Sequence, residues 1–380
     1  MRMLVLGAGL QGSACAFDLL QTSDAEVTLA DAHPERVRPF LKDFKSKRLT
    51  TIRLDARDET AVTALMPDHD AALSALPYYF NAHMARHAVA SKIHFADLGG
   101  NTDIVREQQE FDAEAREERI SVMPDSGLAP GLVNILAAEG IRRLDTVDAV
   151  RLYVGGLPQQ PEPPLNYHLV YSLEGVLDYY TTPSWVLRDG AAQTVDALSE
   201  VEPIEFPAPV GCLEAFHTAG GISTMPWEFA GQIPLMEYKT LRYPGHATAM
   251  QTLRALGLFD LDPIAVDGNE VRPRDVFVAI VDPRLRRSDA RDLVAVKVLV
   301  SGTRDGGSAT VGFELLDYYD EENEISSMMR TTGYSLSITG QMQAGGRVER
   351  YGVTPAYQGM PYAPYVQALS NRGITIREFE

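Results

Sequence analysis

Three glycines, Gly7, Gly9 and Gly12, stand in G-x-G-x-x-G spacing within LVLGAGLQGSACAFDLL, after an apolar run and at the head of a helical pattern. Each has its own task in holding a pyrophosphate: Gly7 permits the tight turn, Gly9 lets the ligand approach the backbone, and Gly12 lets helix and strand pack closely. The helix start, with Leu10 and Gln11, brings amide donors and a partial positive charge to the same point. Asp31 closes the run VTLAD, 19 residues after Gly12. A carboxylate there accepts hydrogen bonds from an adenine ribose and repels a 2′-phosphate, so the spacing predicts a dinucleotide site that takes NAD in preference to NADP. Arg36 and Arg38 lie near enough in sequence to keep NADP open, and Asp55 in RLDARD either sits near the adenine or, like Asp58, caps a helix.

Other chemistries find less support. His83 and His87 in HMARH have the spacing of a zinc-binding helix but lack the glutamate and a third ligand, so no metal is expected. No G-x-S-x-G is present, and Ser126 has no identifiable base, which speaks against a hydrolase. Cys15 and Cys212 are too few for a disulfide framework or a cysteine-based metal site and fit a reducing compartment. A net charge of -18, from 52 acidic and 34 basic residues, argues against nucleic acid and anionic membranes as partners. No apolar run approaches the roughly 20 residues of a membrane span, and the N-terminus lacks a signal peptide's basic region, so a cytoplasmic location is expected.

The glycine loop needs a frame. Six apolar runs, MLVL, VTLAD, TIRL, DAALSAL, IHFAD and ISVM, alternate with helical patterns up to about Met123. This predicts a Rossmann-type, doubly wound parallel sheet over residues 1–130, with Leu76 closing the fourth run, Pro77 after it and Leu98 after the fifth placed at the cofactor. Beyond a helix at Gly131–Arg142 the pattern changes: DAVRLYVGG reads as a strand, Pro158–Pro164 as a loop and Asp189-Gly190 as a hairpin turn, and LVAVKVLVSGT and SATVGFELLDYYD are joined by RDGG. These predict a second α+β domain on a largely antiparallel sheet over 131–330. The helical MMRTTGYSLSITGQMQAGG leads residues 331–380 back to the first domain. The apolar face of the long hairpin exceeds what one layer of helices would cover, which predicts a homodimer.

Four later segments narrow the reading: GLAPGLVNIL, VGGLPQQPEPPLNYHLVYSLEGVLDYY, TLRYPGHA and MMRTTGY. In this order, after this kind of nucleotide domain, they resemble the saccharopine dehydrogenase-like family, most closely its lysine 6-dehydrogenase branch, over nearly the whole chain. The resemblance implies that GLAPG lies at the junction of the cofactor and substrate domains. Pro130 would then occupy the first helical turn, with the helix N-terminus facing the cleft and favouring an anionic group; the turn reads equally well as a plain crossover. Two departures stand out. Saccharopine reductases of this family tend to carry an aspartate where this chain has Ala129, and a cysteine where it has Val154. Both favour a smaller substrate.

The resemblance implies oxidation of the ε-amine of lysine to an imine, then hydrolysis to 2-aminoadipate 6-semialdehyde and ammonia, with cyclisation to a piperideine carboxylate. Such chemistry needs a base for the ammonium and a forked cation for the α-carboxylate. Arg242 in LRYPGH is the first candidate for the carboxylate, and Arg330 the second unless it anchors the returning helix. His246 and Glu174 are the candidate bases, and Tyr167, His168 and Tyr171 are expected to line the pocket. Two alternatives remain open: a saccharopine or carboxynorspermidine reductase of the same family, and a non-catalytic NAD-binding association protein.

Overall fold

The central strands of the first sheet are apolar on both faces, which requires helices on both sides. β1 (Arg2–Leu6), β2 (Glu26–Asp31), β3 (Leu49–Arg53), β4 (Ala71–Ser74), β5 (His94–Asp97) and β6 (Ser121–Met123) pair in parallel in the order β3-β2-β1-β4-β5-β6. In β1, Met3 and Val5 join a core with Ala16, Phe17 and Leu20 of the helix Leu10–Thr22, whereas Leu4 and Leu6 join one with Met84, Ala85 and Ala88 of the helix Asn81–Ala90. The computed structural model describes residues 1–169, 172–287 and 290–380. All six expected strands are present, and a seventh, Gly352–Val353, pairs in parallel with β6. A two-residue strand is too short to carry a pattern that sequence could disclose.

The second sheet is mixed and largely antiparallel, as expected. Its centre is Thr146–Pro158, parallel to Leu235–Arg242 on one side and antiparallel to Asp292–Arg304 on the other. The long hairpin Asp292–Arg304/Gly307–Tyr318 turns at Asp305-Gly306, and Ser184–Arg188/Ala191–Val195 turns at Asp189-Gly190, all four turn residues having positive φ as a two-residue hairpin turn demands. Among the described residues, no helix is long and apolar enough to cross a membrane.

One helix joins the sheets. Ser327–Ala344 starts on the second, where the Ser327 and Met328 amides donate to the Asp292 carboxylate at 2.7 and 2.9 Å. It ends on the first, where Gln343 donates to the carbonyls of Phe95 and Ser121 at 2.8 and 3.0 Å. In between, it packs along Leu10–Thr22 so closely that a Cβ on Gly333 would stand 2.8 Å from Ala14 Cβ. The C-terminal segment ties back to both layers: Arg372 holds the buried Asp18 through contacts of 2.7 and 2.8 Å, and Arg377–Phe379 adds a strand to the edge of the second sheet.

Removing Arg372 leaves a carboxylate buried without its cation. Arg372→Met should therefore lower the unfolding free energy by about 3–5 kcal/mol, seen as an earlier denaturant midpoint, and adding Asp18→Leu should restore most of it. A midpoint unchanged in Arg372→Met would mean that this pair does not anchor the C-terminal segment.

Candidate functional site

The glycine loop has the shape a pyrophosphate needs. A Cβ on Gly12 would stand 1.8 Å from the Gly7 carbonyl oxygen, whereas one on Gly9 would meet nothing within 4 Å, so the loop is tight beneath and open above. The first amides of Leu10–Thr22 lack intrahelical partners by the geometry of any helix start. Asp31 accepts from the Ala8 amide at 2.7 Å with one oxygen and from the His33 amide at 2.7 Å with the other, which pins the carboxylate beside the loop. Gln11 lines the cleft, and its buried Oε1 has no donor among the described residues, an acceptor that a bound ligand could satisfy. These features fit a dinucleotide. Leu76, Pro77 and Leu98 also line the cleft. Asp55 pairs with Arg57 on the surface, 2.6 Å from Oδ2 to Nη2, which holds its pKa down at about 2, and Asp58 caps the helix Glu59–Leu65. Arg36 and Arg38 are exposed, and His87 bonds Thr63 at 3.1 Å.

Between the sheets lies a cleft of about 500 Å³. One wall is Gly127–Pro130, together with Ala75–Pro77 and Leu98–Gly99; the other is Thr218–Gly221 with Tyr179, Tyr238, Thr240 and Arg242. Ala129 and Val154, the two departures from the reductase pattern, both line it. The GLAPG turn differs from expectation in detail. The helix begins at Leu132, so Pro130 lies outside the first turn, and Gly131 caps it with φ +136°, where a Cβ would stand 2.1 Å from the Gly127 oxygen. The Leu132, Val133 and Asn134 amides bond the Gly127, Leu128 and Gly131 carbonyls at 2.9, 3.1 and 3.0 Å. Asn134 Oδ1 accepts from the Gly131 amide at 2.7 Å. The helix end is closed on its own loop and has no amides to offer an anion.

Arg242 is the one charged side chain among the described residues lining the cleft. Its guanidinium lies 4.6 Å above the Tyr167 ring and donates to the Leu241 carbonyl at 2.8 Å. Tyr167 therefore supports Arg242 from beneath instead of lining the cleft. His246 stands one layer further back, 5.3 Å from the Tyr167 ring; Nε2 meets the Tyr180 hydroxyl at 2.9 Å, and Nδ1 the Leu165 carbonyl at 3.0 Å. The carbonyl can only accept, so Nδ1 carries the proton and Nε2 receives the tyrosine's. Burial foremost, then the Arg242 charge, pushes the His246 pKa down to about 3. A neutral ring with both nitrogens engaged, away from the cleft lining, is placed to hold the Arg242 support and not to take a substrate proton.

The other expected residues fall elsewhere. Glu174 is exposed in the first turn of Leu173–Thr181, although the cap of that helix, Ser172, reaches the cleft. Arg330 is held by Asp317 at 3.1 Å and Asp320 at 3.3 Å, which makes it an anchor of the helix Ser327–Ala344 and not a carboxylate receptor. His168 is half-buried and outside the lining, and Tyr171 lies outside the described residues. The residues missed were Tyr179, Tyr238, Thr218 and Thr240, the last two joined Oγ1 to Oγ1 at 2.7 Å. TAGG at 218–221 was the available signal. Glu200, His217 and Glu237 bring metal-ligand atoms within 4.8 Å of one another, but Arg188 Nη2 sits between the two carboxylates at 2.9 and 2.7 Å and supplies the positive charge.

Residues 3–123 match the saccharopine dehydrogenase NADP binding domain, and residues 127–374 match the saccharopine dehydrogenase C-terminal domain. The chain is 27% identical to the mitochondrial alpha-aminoadipic semialdehyde synthase of Bos taurus, over 69% of this chain and 29% of that protein. It is also 27% identical to the saccharopine dehydrogenase [NADP(+), L-glutamate-forming] of Pyricularia oryzae, over 67% of this chain and 57% of that one. It thus spans less than two thirds of either. Against the enzyme of the same name from Saccharomyces cerevisiae, identity is again 27%, over 99% of this chain and 98% of the other. The solved apo structure of saccharopine dehydrogenase (L-Glu forming) from that yeast has the same fold, with a TM-score of 0.82 at 22% identity over 100% of this chain and 99% of that one.

His246 should set a slope of stability with pH. Its folded pKa of about 3 lies below the ordinary value of 6.5, so unfolding takes up a proton between those values. Its contribution is complete above pH 6.5 and declines as pH falls toward about 3. Burial raises Asp97 to about 7 and Asp125 to about 6 from an ordinary 3.8, so these act oppositely, favouring the fold at low pH and losing that contribution as pH rises through those values. His246→Gln isolates the histidine. The wild-type advantage over this variant should shrink by up to about 1.4 kcal/mol per pH unit on acidification. An advantage constant from pH 7 to pH 4 would show that His246 is not held neutral.

Proposed function

We propose that this chain, which belongs to the saccharopine dehydrogenase family, is an NAD-dependent lysine 6-dehydrogenase. It would oxidise the ε-amine of L-lysine to an imine, which water converts to 2-aminoadipate 6-semialdehyde and ammonia; the aldehyde then closes to a piperideine carboxylate. The observation that carries this reading is the single charged side chain among the described residues that line the cleft. Arg242 matches one carboxylate, in the forked geometry that guanidinium offers, whereas saccharopine brings several carboxylates and would need further cations. Ala129 and Val154 remove two polar side chains that the reductase pattern carries, which also suits the smaller substrate.

Bound NAD would supply the hydride acceptor, with Asp31 favouring it over NADP. The amine must be neutral, because only a free lone pair on nitrogen can form the C=N bond as hydride leaves the carbon. The cleft favours that state: its described lining holds hydroxyls, the Gln11 amide and apolar groups but no carboxylate, and its one cation repels an ammonium. Tyr179 and Tyr238 stay protonated, burial pushing Tyr179 up to about 12, and can hydrogen-bond the amine. The protein would act as a cytoplasmic homodimer paired through the outward face of the second sheet, where Leu299 and Leu316 are half-buried and Tyr318 is exposed.

Absorbance of the reduced cofactor should rise on adding lysine with NAD, more slowly with NADP, and fastest well above neutral pH, since the free amine has a pKa of about 10.4. Arg242→Ala should raise KM for lysine by one to two orders of magnitude, since a charge-assisted contact contributes about 1.5–3 kcal/mol, with NAD affinity nearly unchanged. Turnover of saccharopine but not lysine would replace this reading with the saccharopine dehydrogenase activity.

A further inference from the structure

The opposed walls of the cleft come from three loops that are distant in sequence. Leu98–Gly99 follows β5, Gly127–Pro130 follows β6, and Thr218–Gly221 follows the strand Cys212–His217 of the second sheet. One buried side chain reaches across them. Asp125, itself at φ +58°, accepts from the Gly100 amide at 3.2 Å with Oδ1 and from the Ser223 hydroxyl with Oδ2. Asp97 laces the first two loops together, accepting from the Gly99 amide at 2.7 Å and the Asp125 amide at 3.4 Å, while its carbonyl takes the Ser126 amide at 2.7 Å. Its second oxygen is occupied by Gln108 at 2.6 Å. A weaker tie runs in parallel, Asn134 Nδ2 to the Gly221 carbonyl at 3.3 Å.

We propose that Asp125 is a positioning residue that holds the cofactor-side and substrate-side walls of the cleft in register. It is not among the residues that line the cleft. It acts by fixing Gly100 and Ser223 to one carboxylate, and through them the Leu98–Gly99 and Thr218–Gly221 segments that line the cleft. Hydride transfer is sensitive to such placement, because the reacting atoms must meet at near-contact distance and small misplacements cost rate steeply. The cofactor is held chiefly at the glycine loop, which Asp125 does not contact, so its binding should be little affected.

This rests on the reading of the cleft as the substrate site, and two measurements separate the two ideas. Hydrogen exchange on the protein alone should rise in residues 97–101 and 218–224 of Asp125→Ala while β1 and the helix Leu10–Thr22 keep their protection. With lysine, kcat/KM should fall about tenfold or more while the NAD dissociation constant stays within about threefold. Asp125→Asn, which keeps an acceptor for Gly100 and a polar partner for Ser223, should recover most of the loss. Adding Ser223→Ala to Asp125→Ala should cost little more, because both cut one link. If Asp125→Ala does not fold, Ser223→Ala carries the exchange test for 218–224. Unchanged exchange in 218–224, additive losses, or a parallel loss of NAD affinity would each overturn the proposal. The expected exchange pattern in a protein that never oxidises lysine would instead uphold the positioning role and remove the functional reading.

Discussion

A guanidinium kept from water in a cleft whose described lining carries no other charge is the constraint around which the second half of the chain is arranged. Arg242 is buried, and burying a charge is costly unless its surroundings compensate. Here the compensation is layered: a carbonyl at one Nη, the face of Tyr167 beneath the plane, then His246 against Tyr167, and the Tyr180 hydroxyl and the Leu165 carbonyl holding His246. Segments near 165, 180 and 246, far apart in sequence, converge on one side chain. The histidine must stay neutral for this to hold, since a second cation beside Arg242 would undo the arrangement.

The first layer was legible because its information is local. Glycine spacing, alternation of apolar runs and helices, and an acid at the end of β2 each follow from a few adjacent residues, and the strand order follows from connection rules. The hairpin turns at Asp189-Gly190 and Asp305-Gly306 were legible for the same reason. The cleft was only half so. Arg242 stood out in LRYPGH, but nothing in the sequence says that Arg330 meets Asp317 and Asp320, because that pairing depends on how a helix settles against a strand. Likewise, Tyr238 and Thr240 face the cleft while Glu237 and Lys239 face away; alternation discloses two faces without saying which is which. His246 misled because residue type suggests proton transfer, whereas burial and two fixed partners decide otherwise.

Asp97 and Asp125 belong to the same class of hidden feature. Both lie at the carboxyl ends of parallel strands, where open α/β sheets bind ligands, and a surface role would be the first thought for either. Instead they are buried, and each spends its oxygens on backbone amides, a glutamine or a hydroxyl. The chain's large negative charge thus coexists with a cleft whose described lining carries no carboxylate.

The helix Ser327–Ala344 has a mechanical consequence. Over 18 residues it extends roughly 27 Å, clamped by Asp292 at one end and by the carbonyls of Phe95 and Ser121 at the other. A clamped rod resists bending but permits some torsion about its own axis. The two sheets are therefore poorly suited to parting like jaws, and admission to the cleft falls to small rotations about this rod and to displacements of the loops at its mouth.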